Sequence, residues 1–93
     1  MTISIAPDAR PRLSCGVRLH EDRVRGRTVL LAPEHVVAPN ASAIEILRRC
    51  NGALTFSEIV DDLAQTHGVP RDRVAADAER LIKDLINRRM VDL

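Results

Sequence analysis

Side chains that could act as nucleophiles, bases or metal ligands are few in this sequence of 93 residues and lie far apart. The two thiols, Cys15 and Cys50, form no Cys-x-x-Cys pair, and the three histidines, His20, His35 and His67, stand singly. A nucleophile needs a base within hydrogen-bond reach, and a zinc site needs ligands at characteristic spacings. The sequence therefore predicts neither a catalytic centre nor a metal site, and we expect both thiols to be structural or idle.

The adjacent carboxylates Asp61 and Asp62 are a further candidate for metal binding. Neighbouring residues of a helix point about 100° apart, so these two side chains do not converge on one ion. A solvated helix face is the better interpretation. The glycines stand singly at turns, so the sequence has no glycine-rich phosphate loop and we expect this chain to carry no cofactor.

Charge and aromatic content argue against a nucleic-acid partner. The 14 basic and 13 acidic residues leave a formal net charge of +1, and Phe56 is the only aromatic residue. The chain therefore has almost no aromatic side chains on which bases could stack. Proteins that bind by neutralising phosphates normally carry a larger excess of basic residues. The cluster of Arg23, Arg25 and Arg27 has two interpretations: a charged hairpin turn, or a contact for phosphate or an acidic peptide.

The first elements predicted along the chain are three short strands, which help to position these residues. Segments 17–20, 28–31 and 35–38 are rich in β-branched and apolar residues, and segment 21–26 between the first two supplies turn residues. Proline interrupts the chain at Pro33 and again at Pro39 because it cannot donate a hydrogen bond to a strand ladder. The short connections predict an antiparallel meander.

Three helices follow the strands. Asn40 is suited to cap a helix over 41–50, and Ser57 is expected to cap a second helix that ends beyond His67 at Gly68. The third and clearest helix spans about 71–89, with apolar residues at three- and four-residue steps. This order predicts an α+β domain of the winged helix-turn-helix type, with a three-stranded antiparallel sheet followed by three helices.

One domain accounts for the chain: an irregular or mobile N-terminal arm at 1–12 and a single winged helix-turn-helix peptide-binding domain at 13–93. The first residues lack the pattern of a signal peptide, and no apolar run approaches the length that spans a membrane. We therefore expect a cytoplasmic protein without a membrane partner.

The third helix would be the recognition helix of a DNA-binding member of this architecture, but its polar positions mix both signs of charge. Acidic residues there would face phosphates and repel them. A mixed-charge surface beside a short sheet is better suited to a peptide, which can add a strand to a free sheet edge.

The motifs of this chain, taken in order, resemble those of the PqqD family, which serves pyrroloquinoline quinone synthesis and typifies the recognition elements for ribosomally made precursor peptides. The matching residues, which cover nearly the whole chain, are Pro11-Arg12-Leu13, Gly16-Val17-Arg18-Leu19, 29–34, Asn40 with Ile46-Leu47, Asn51-Gly52, Ile59-Val60, Leu63-Ala64, Val74, Asp77, Leu81 and Leu85. The chain departs from the family in having Pro39 before the capping Asn, which leaves the end of the third strand open, and Asn51 where the family commonly has Asp.

The resemblance implies a peptide chaperone that is not an enzyme. Such a chaperone binds the precursor peptide PqqA and presents it to the radical S-adenosylmethionine enzyme PqqE, which joins a Glu and a Tyr side chain of that peptide. The leader peptide would add a strand along the third strand and lie against the third helix. The alternative from another functional class is a winged-helix DNA-binding regulator.

We place the peptide site on the third strand and the facing side of the third helix. The residues expected to form it are His35, Val36, Val37, Ala38, Val74, Ala75, Ala78 and Leu81. An added strand needs free N–H and C=O groups on an edge, and a helix alongside supplies pockets for alternate side chains. The small residues Ala75 and Ala78 would let a second chain approach closely, although alanines there could instead pack on the sheet.

Overall fold

Eight elements follow one another in the computed structural model, which describes residues 5–93. They are β1 (Arg12–Leu13), β2 (Arg18–Asp22), β3 (Arg27–Leu31), β4 (Val36–Val37), α1 (Ala41–Arg48), α2 (Phe56–His67), α3 (Arg71–Asn87) and β5 (Val91–Asp92). The predicted α+β order of three meander strands and then three helices is confirmed, and two further short strands flank it.

The three-stranded sheet has the order β2-β3-β4, and both pairings are antiparallel. Leu19, Leu30 and Val37 are cross-strand partners, so their side chains share one face. Leu30 is fully buried in the core, and Leu19 and Val37 pack against it. The third strand is shorter than the predicted 35–38 and ends two residues before Pro39.

A second sheet has two strands. In it β1, near the start of the described residues, pairs antiparallel with β5, near their end. Residues 5–11 of the predicted arm at 1–12 form no helix or strand, but Arg12 belongs to β1. The interpretation of a mobile arm needs correction for 5–11. Ile5 is buried, and the carbonyl of Ala9 accepts from Phe56 N–H at 2.7 Å. The arm's first four residues lie outside the described part.

Local capping explains where the first two helices begin and end. The Asn40 side chain accepts from Ala43 N–H at 2.8 Å, as predicted for α1. The second helix is capped by Thr55 rather than Ser57: the hydroxyl of Thr55 accepts from Glu58 N–H, and the Glu58 carboxylate accepts from Thr55 N–H. This reciprocal capping box satisfies two otherwise unpaired donors. Gly68 ends α2 in the left-handed conformation, with φ 63°.

The longest helix, α3, supplies the central row of the core. Ala78, Ile82 and Leu85 are buried along one side of it and pack against residues of α1, α2 and the sheet. The helix ends in a Schellman turn, in which Arg89 takes φ 61° and Met90 N–H donates to Leu85 C=O at 2.8 Å. This turn directs the chain from α3 into β5.

Candidate peptide-binding site

The edge of the three-stranded sheet is open along β4, which has β3 on one side only. Ala32 N–H donates to His35 C=O at 2.9 Å across the two-residue turn of Pro33 and Glu34. Hydrogen-bonded and non-bonded pairs alternate along an antiparallel ladder, so the next pair, Leu31 with Val36, is non-bonded. The N–H and C=O of Val36 therefore point away from β3, toward the open edge.

One flank of α3 forms the second wall of the site. Val74, Leu81 and Arg88 are spaced by seven residues, which is close to two full helical turns, so they lie along the same flank. Val74 lines a cavity shared with the start of α1, and Arg88 lines another shared with His35. The α3 flank therefore meets the start of α1 at one cavity and the start of β4 at the other. We define the groove as the space along this flank between the two cavities.

The two cavities differ in size and lining. The cavity at the start of α1 has a volume of about 570 Å³, and its lining residues are Ala41, Ser42, Glu45, Ile46, Leu63, His67, Val69, Arg73, Val74 and Asp77. The cavity at the start of β4 has about 300 Å³, and its lining residues are Cys15, Val17, Ala32, Pro33, Glu34, His35, Arg88, Arg89 and Met90. Each end of the groove thus offers room for a side chain in a mixed-charge setting.

The structure corrects the prediction for Ala78 and separates Ala75 from the groove. Ala78 has 0% of its surface exposed and belongs to the core, so its side chain cannot line a peptide groove in this conformation. Ala75 follows Val74 in α3, so its side chain points about 100° away from that of Val74 around the helix axis. Ala75 also lies one helical turn before Glu79. The Glu79 carboxylate accepts from Ile5 N–H at 3.0 Å, so the N-terminal segment covers that flank. Val74 and Leu81 remain as half-buried wall residues.

The four predicted residues of the strand lie where a peptide could reach them. His35, Val36 and Ala38 are exposed, and Val37 is half-buried against the core. Asp77 and Arg88 each line one of the two cavities and were not among the predicted residues. The seven-residue repeat through Val74, Leu81 and Arg88 is the signal in the sequence that would have suggested Arg88.

Electrostatics at the groove are largely balanced by internal ion pairs. Arg49 donates to Glu45 at 3.0 Å and to Asp62 at 2.6 Å, and so ties α1 to α2. The hydrogen bond from Arg49 lowers the pKa of Glu45 from its ordinary value. Asp77 pairs with Arg80 at 3.5 Å. Glu45, Arg73 and Asp77 line the same cavity, so the groove presents both signs of charge rather than a continuous basic surface, which suits a peptide better than a phosphate backbone.

The residues that could do chemistry do not converge. His20, His35 and His67 line three different cavities, and burial raises the pKa of the Cys50 thiol to about 12. Across residues 5–93, no three histidine, cysteine or carboxylate side chains are grouped so that they could hold a metal ion. Of the described helices, none is long and apolar enough to cross a membrane.

Comparison with known proteins identifies the family of this chain. The family model for coenzyme PQQ synthesis protein D (PqqD) matches residues 27–91. The chain belongs to the PqqD family. A PqqA binding protein of Rhodopseudomonas palustris (strain HaA2) is 38% identical over 86 residues, covering 92% of this chain and 84% of that relative. The PqqA binding protein of Xanthomonas axonopodis pv. citri (strain 306) is 36% identical, covering 96% of this chain and 97% of the relative.

Solved structures of PqqD proteins share the fold. The solution structure of the PqqD part of Methylobacterium extorquens PqqCD, described as a stand-alone recognition element for ribosomally synthesised peptides, has a TM-score of 0.81 and 32% identity, covering 97% of this chain and 96% of that one. The crystal structure of PqqD from Xanthomonas campestris has a TM-score of 0.61 and 33% identity, covering 97% of this chain and 100% of that one.

A more distant neighbour shares the fold alone. Lasso peptide synthetase B1 complexed with its leader peptide has a TM-score of 0.76 and 21% identity, covering 91% of this chain and all of that one. The winged helix-turn-helix arrangement predicted for this member of the PqqD family is therefore also present in a protein of low sequence identity.

Proposed function

We propose that this chain binds the precursor peptide PqqA as an added strand along β4 and presents it to the radical S-adenosylmethionine enzyme PqqE. The single observation that carries the mode of binding is the outward direction of the Val36 N–H and C=O groups beside the α3 groove. Main-chain hydrogen bonds to such an edge supply affinity, and pockets for alternate side chains supply specificity. The names of the relatives support PqqA as the peptide.

The peptide would lie between two walls. Its backbone would pair with Val36, and every second side chain would turn toward the groove lined by Val74 and Leu81. The cavities at the two ends would receive the side chains that enter and leave the groove. Because half of an extended peptide's side chains point the other way, the bound segment would stay accessible to the enzyme.

We propose further that the domain is a chaperone and not an enzyme. Joining a Glu and a Tyr side chain requires radical chemistry, which the iron-sulfur clusters of PqqE would supply. The role of this chain is then to hold one segment of the peptide so that the reacting residues reach the enzyme at high effective concentration. The cytoplasmic location expected from the sequence remains a prediction.

A titration of the isotope-labelled chain with synthetic PqqA tests the proposal. We expect saturable binding with the largest amide shifts at Val36, Ala38, Leu81 and Arg88, and affinity that falls only modestly as salt rises. Duplex DNA added in a parallel titration should give no saturable shifts. Saturable binding of DNA with a steep salt dependence, or peptide-induced shifts confined to α2, would contradict the proposal.

A further inference from the structure

The three-stranded sheet has a second face, opposite the row that packs into the core. Its residues are exposed or half-buried except Val29 at its centre, which is 3% exposed. Cross-strand partners share a face, so the residues opposite the Leu19, Leu30 and Val37 row form one surface. We define it as the outer sheet face, and its members are Arg18, His20, Asp22, Arg27, Val29, Leu31 and Val36. The turn between β2 and β3 lies at one end of this face and carries Arg23, Val24 and Arg25, all of which are exposed.

The net positive charge of the protein is concentrated here. Segment 18–31 carries four arginines and two carboxylates, a net charge of +2, whereas segment 41–89 carries eight basic and eight acidic residues, a net charge of zero. Among residues 5–93, Arg18, Arg23 and Arg27 take part in no ion pair, while most charges on the helices are paired. Asp22 lies opposite Arg27 across the strands but pairs with Arg25, so these three arginines remain available to a partner.

Apolar groups lie among these arginines. Val24 is 97% exposed at the tip of the β2–β3 turn, and Val36 is 64% exposed on β4. Leu31, the cross-strand partner of Val36, is half-buried. Exposed valines contribute nothing to a phosphate contact but bury apolar area against a protein. The face therefore favours a protein surface over a nucleic acid.

We infer that the outer sheet face docks an acidic, partly apolar surface of a second protein, and that this partner is the enzyme that modifies the bound peptide. The inference rests on the proposed function for the identity of the partner. A second copy of this chain is disfavoured as the occupant, because two faces that each carry unpaired arginines would repel each other. Carboxylates on the partner would instead pair with Arg18 and Arg23.

The outer sheet face would lie next to the bound peptide, so that one partner could contact both. A strand added beside β4 would extend the sheet, and its alternate side chains would join the same surface as Leu31 and Val36. The partner would then contact the domain and the peptide together. Docking should therefore be tighter to the peptide-loaded domain than to the empty one, since the loaded surface is larger.

Charge reversal tests this docking surface. The variants Arg18→Glu and Arg23→Glu are compared with Arg80→Glu, which makes the same change in net charge on the solvent side of α3, where the side chain is 77% exposed. Affinity of purified PqqE for each peptide-loaded variant is measured by titration. We expect Arg18→Glu and Arg23→Glu each to weaken binding by about tenfold, and Arg80→Glu to change it by less than about twofold.

The same samples separate failure of this inference from failure of the proposed function. Peptide affinity, measured without the enzyme, should be unchanged in Arg18→Glu and Arg23→Glu. If affinity for the enzyme falls equally in all three variants, or falls in none of them, the proposed docking surface is wrong. Peptide binding by the domain would not be contradicted by either result. Absence of peptide binding to the unmodified chain would instead contradict the proposed function. Duplex DNA binding that Arg18→Glu abolishes, or a dimer that it dissociates, would also overturn the inference.

Discussion

Ala32 N–H donates to the carbonyl oxygen of His35 at 2.9 Å, and this bond decides which groups of β4 face outward. Because the pair of Ala32 and His35 is hydrogen-bonded, the following pair of Leu31 and Val36 is not, and the main chain of Val36 is left for another strand. The first prediction tests this relationship directly.

Val36→Pro should weaken PqqA binding by tenfold or more while the domain stays folded. Proline removes the N–H that an added strand would accept from, but that N–H makes no bond to β3, so the internal ladder is unchanged. The control is Val36→Ala, which trims the same exposed side chain and keeps the N–H. Calorimetric titration with the peptide measures both. Equal affinity for the proline and alanine variants would remove β4 as the site of strand addition.

Leu81→Ala and Ile86→Ala form a matched pair on α3. Both side chains are half-buried and pack against the core, so each change should lower the free energy of unfolding by roughly 1–2 kcal/mol. The two residues lie on opposite flanks of the helix, and only Leu81 shares the flank of Val74. We expect weaker peptide binding from Leu81→Ala alone. Similar peptide affinities for the pair would place the groove elsewhere.

Ala78→Arg should unfold a large fraction of the molecules, because a charged side chain would enter a site with no exposed surface. Burial of an unpaired charge of this kind costs on the order of 3 kcal/mol or more. Ala76→Arg provides the control, since Ala76 is exposed two residues earlier on the same helix. Urea denaturation followed by circular dichroism compares them. A folded Ala78→Arg variant of ordinary stability would show that Ala78 lies at an accessible surface.

Acid should destabilise the protein partly through Glu58. Hydrogen bonds from the backbone and hydroxyl of Thr55 lower the pKa of this carboxyl from its ordinary value of 4.5. A carboxyl whose pKa is lower in the folded state adds stability above its unfolded pKa, and this contribution is lost as the pH falls through the folded pKa. Glu58→Gln keeps the capping acceptor but cannot titrate.

We therefore expect Glu58→Gln to lose less stability than the unmodified chain between about pH 5 and pH 3. The measurement is the urea midpoint as a function of pH. Glu34→Gln is the control, because Glu34 is exposed and lies in the turn between β3 and β4. Parallel pH curves for Glu58→Gln and the unmodified protein would contradict the role of the capping box.

Local signals in the sequence determined most of the fold. The alternation of apolar residues and the prolines predicted three strands, Asn40 predicted the start of α1, and Gly68 predicted the end of α2. These features succeed because hydrophobic periodicity, capping and left-handed glycine act within a few residues. The capping residue of α2 was placed two positions late, since both Thr55 and Ser57 have suitable hydroxyls and only the structure shows which is used.

Long-range packing decided the rest. The pairing of β1 with β5 joins residues about eighty positions apart, and two-residue strands carry no periodic pattern that could reveal it. The apolar positions of α3 predicted a helix with one buried side, but not which flank meets β4 and which meets the N-terminal segment. Ala75, Ala78 and Leu81 are all apolar, so periodicity alone could not separate a covered flank, a core position and a groove wall. The elements that bury each residue come from distant parts of the chain, and only their tertiary arrangement distinguishes the three.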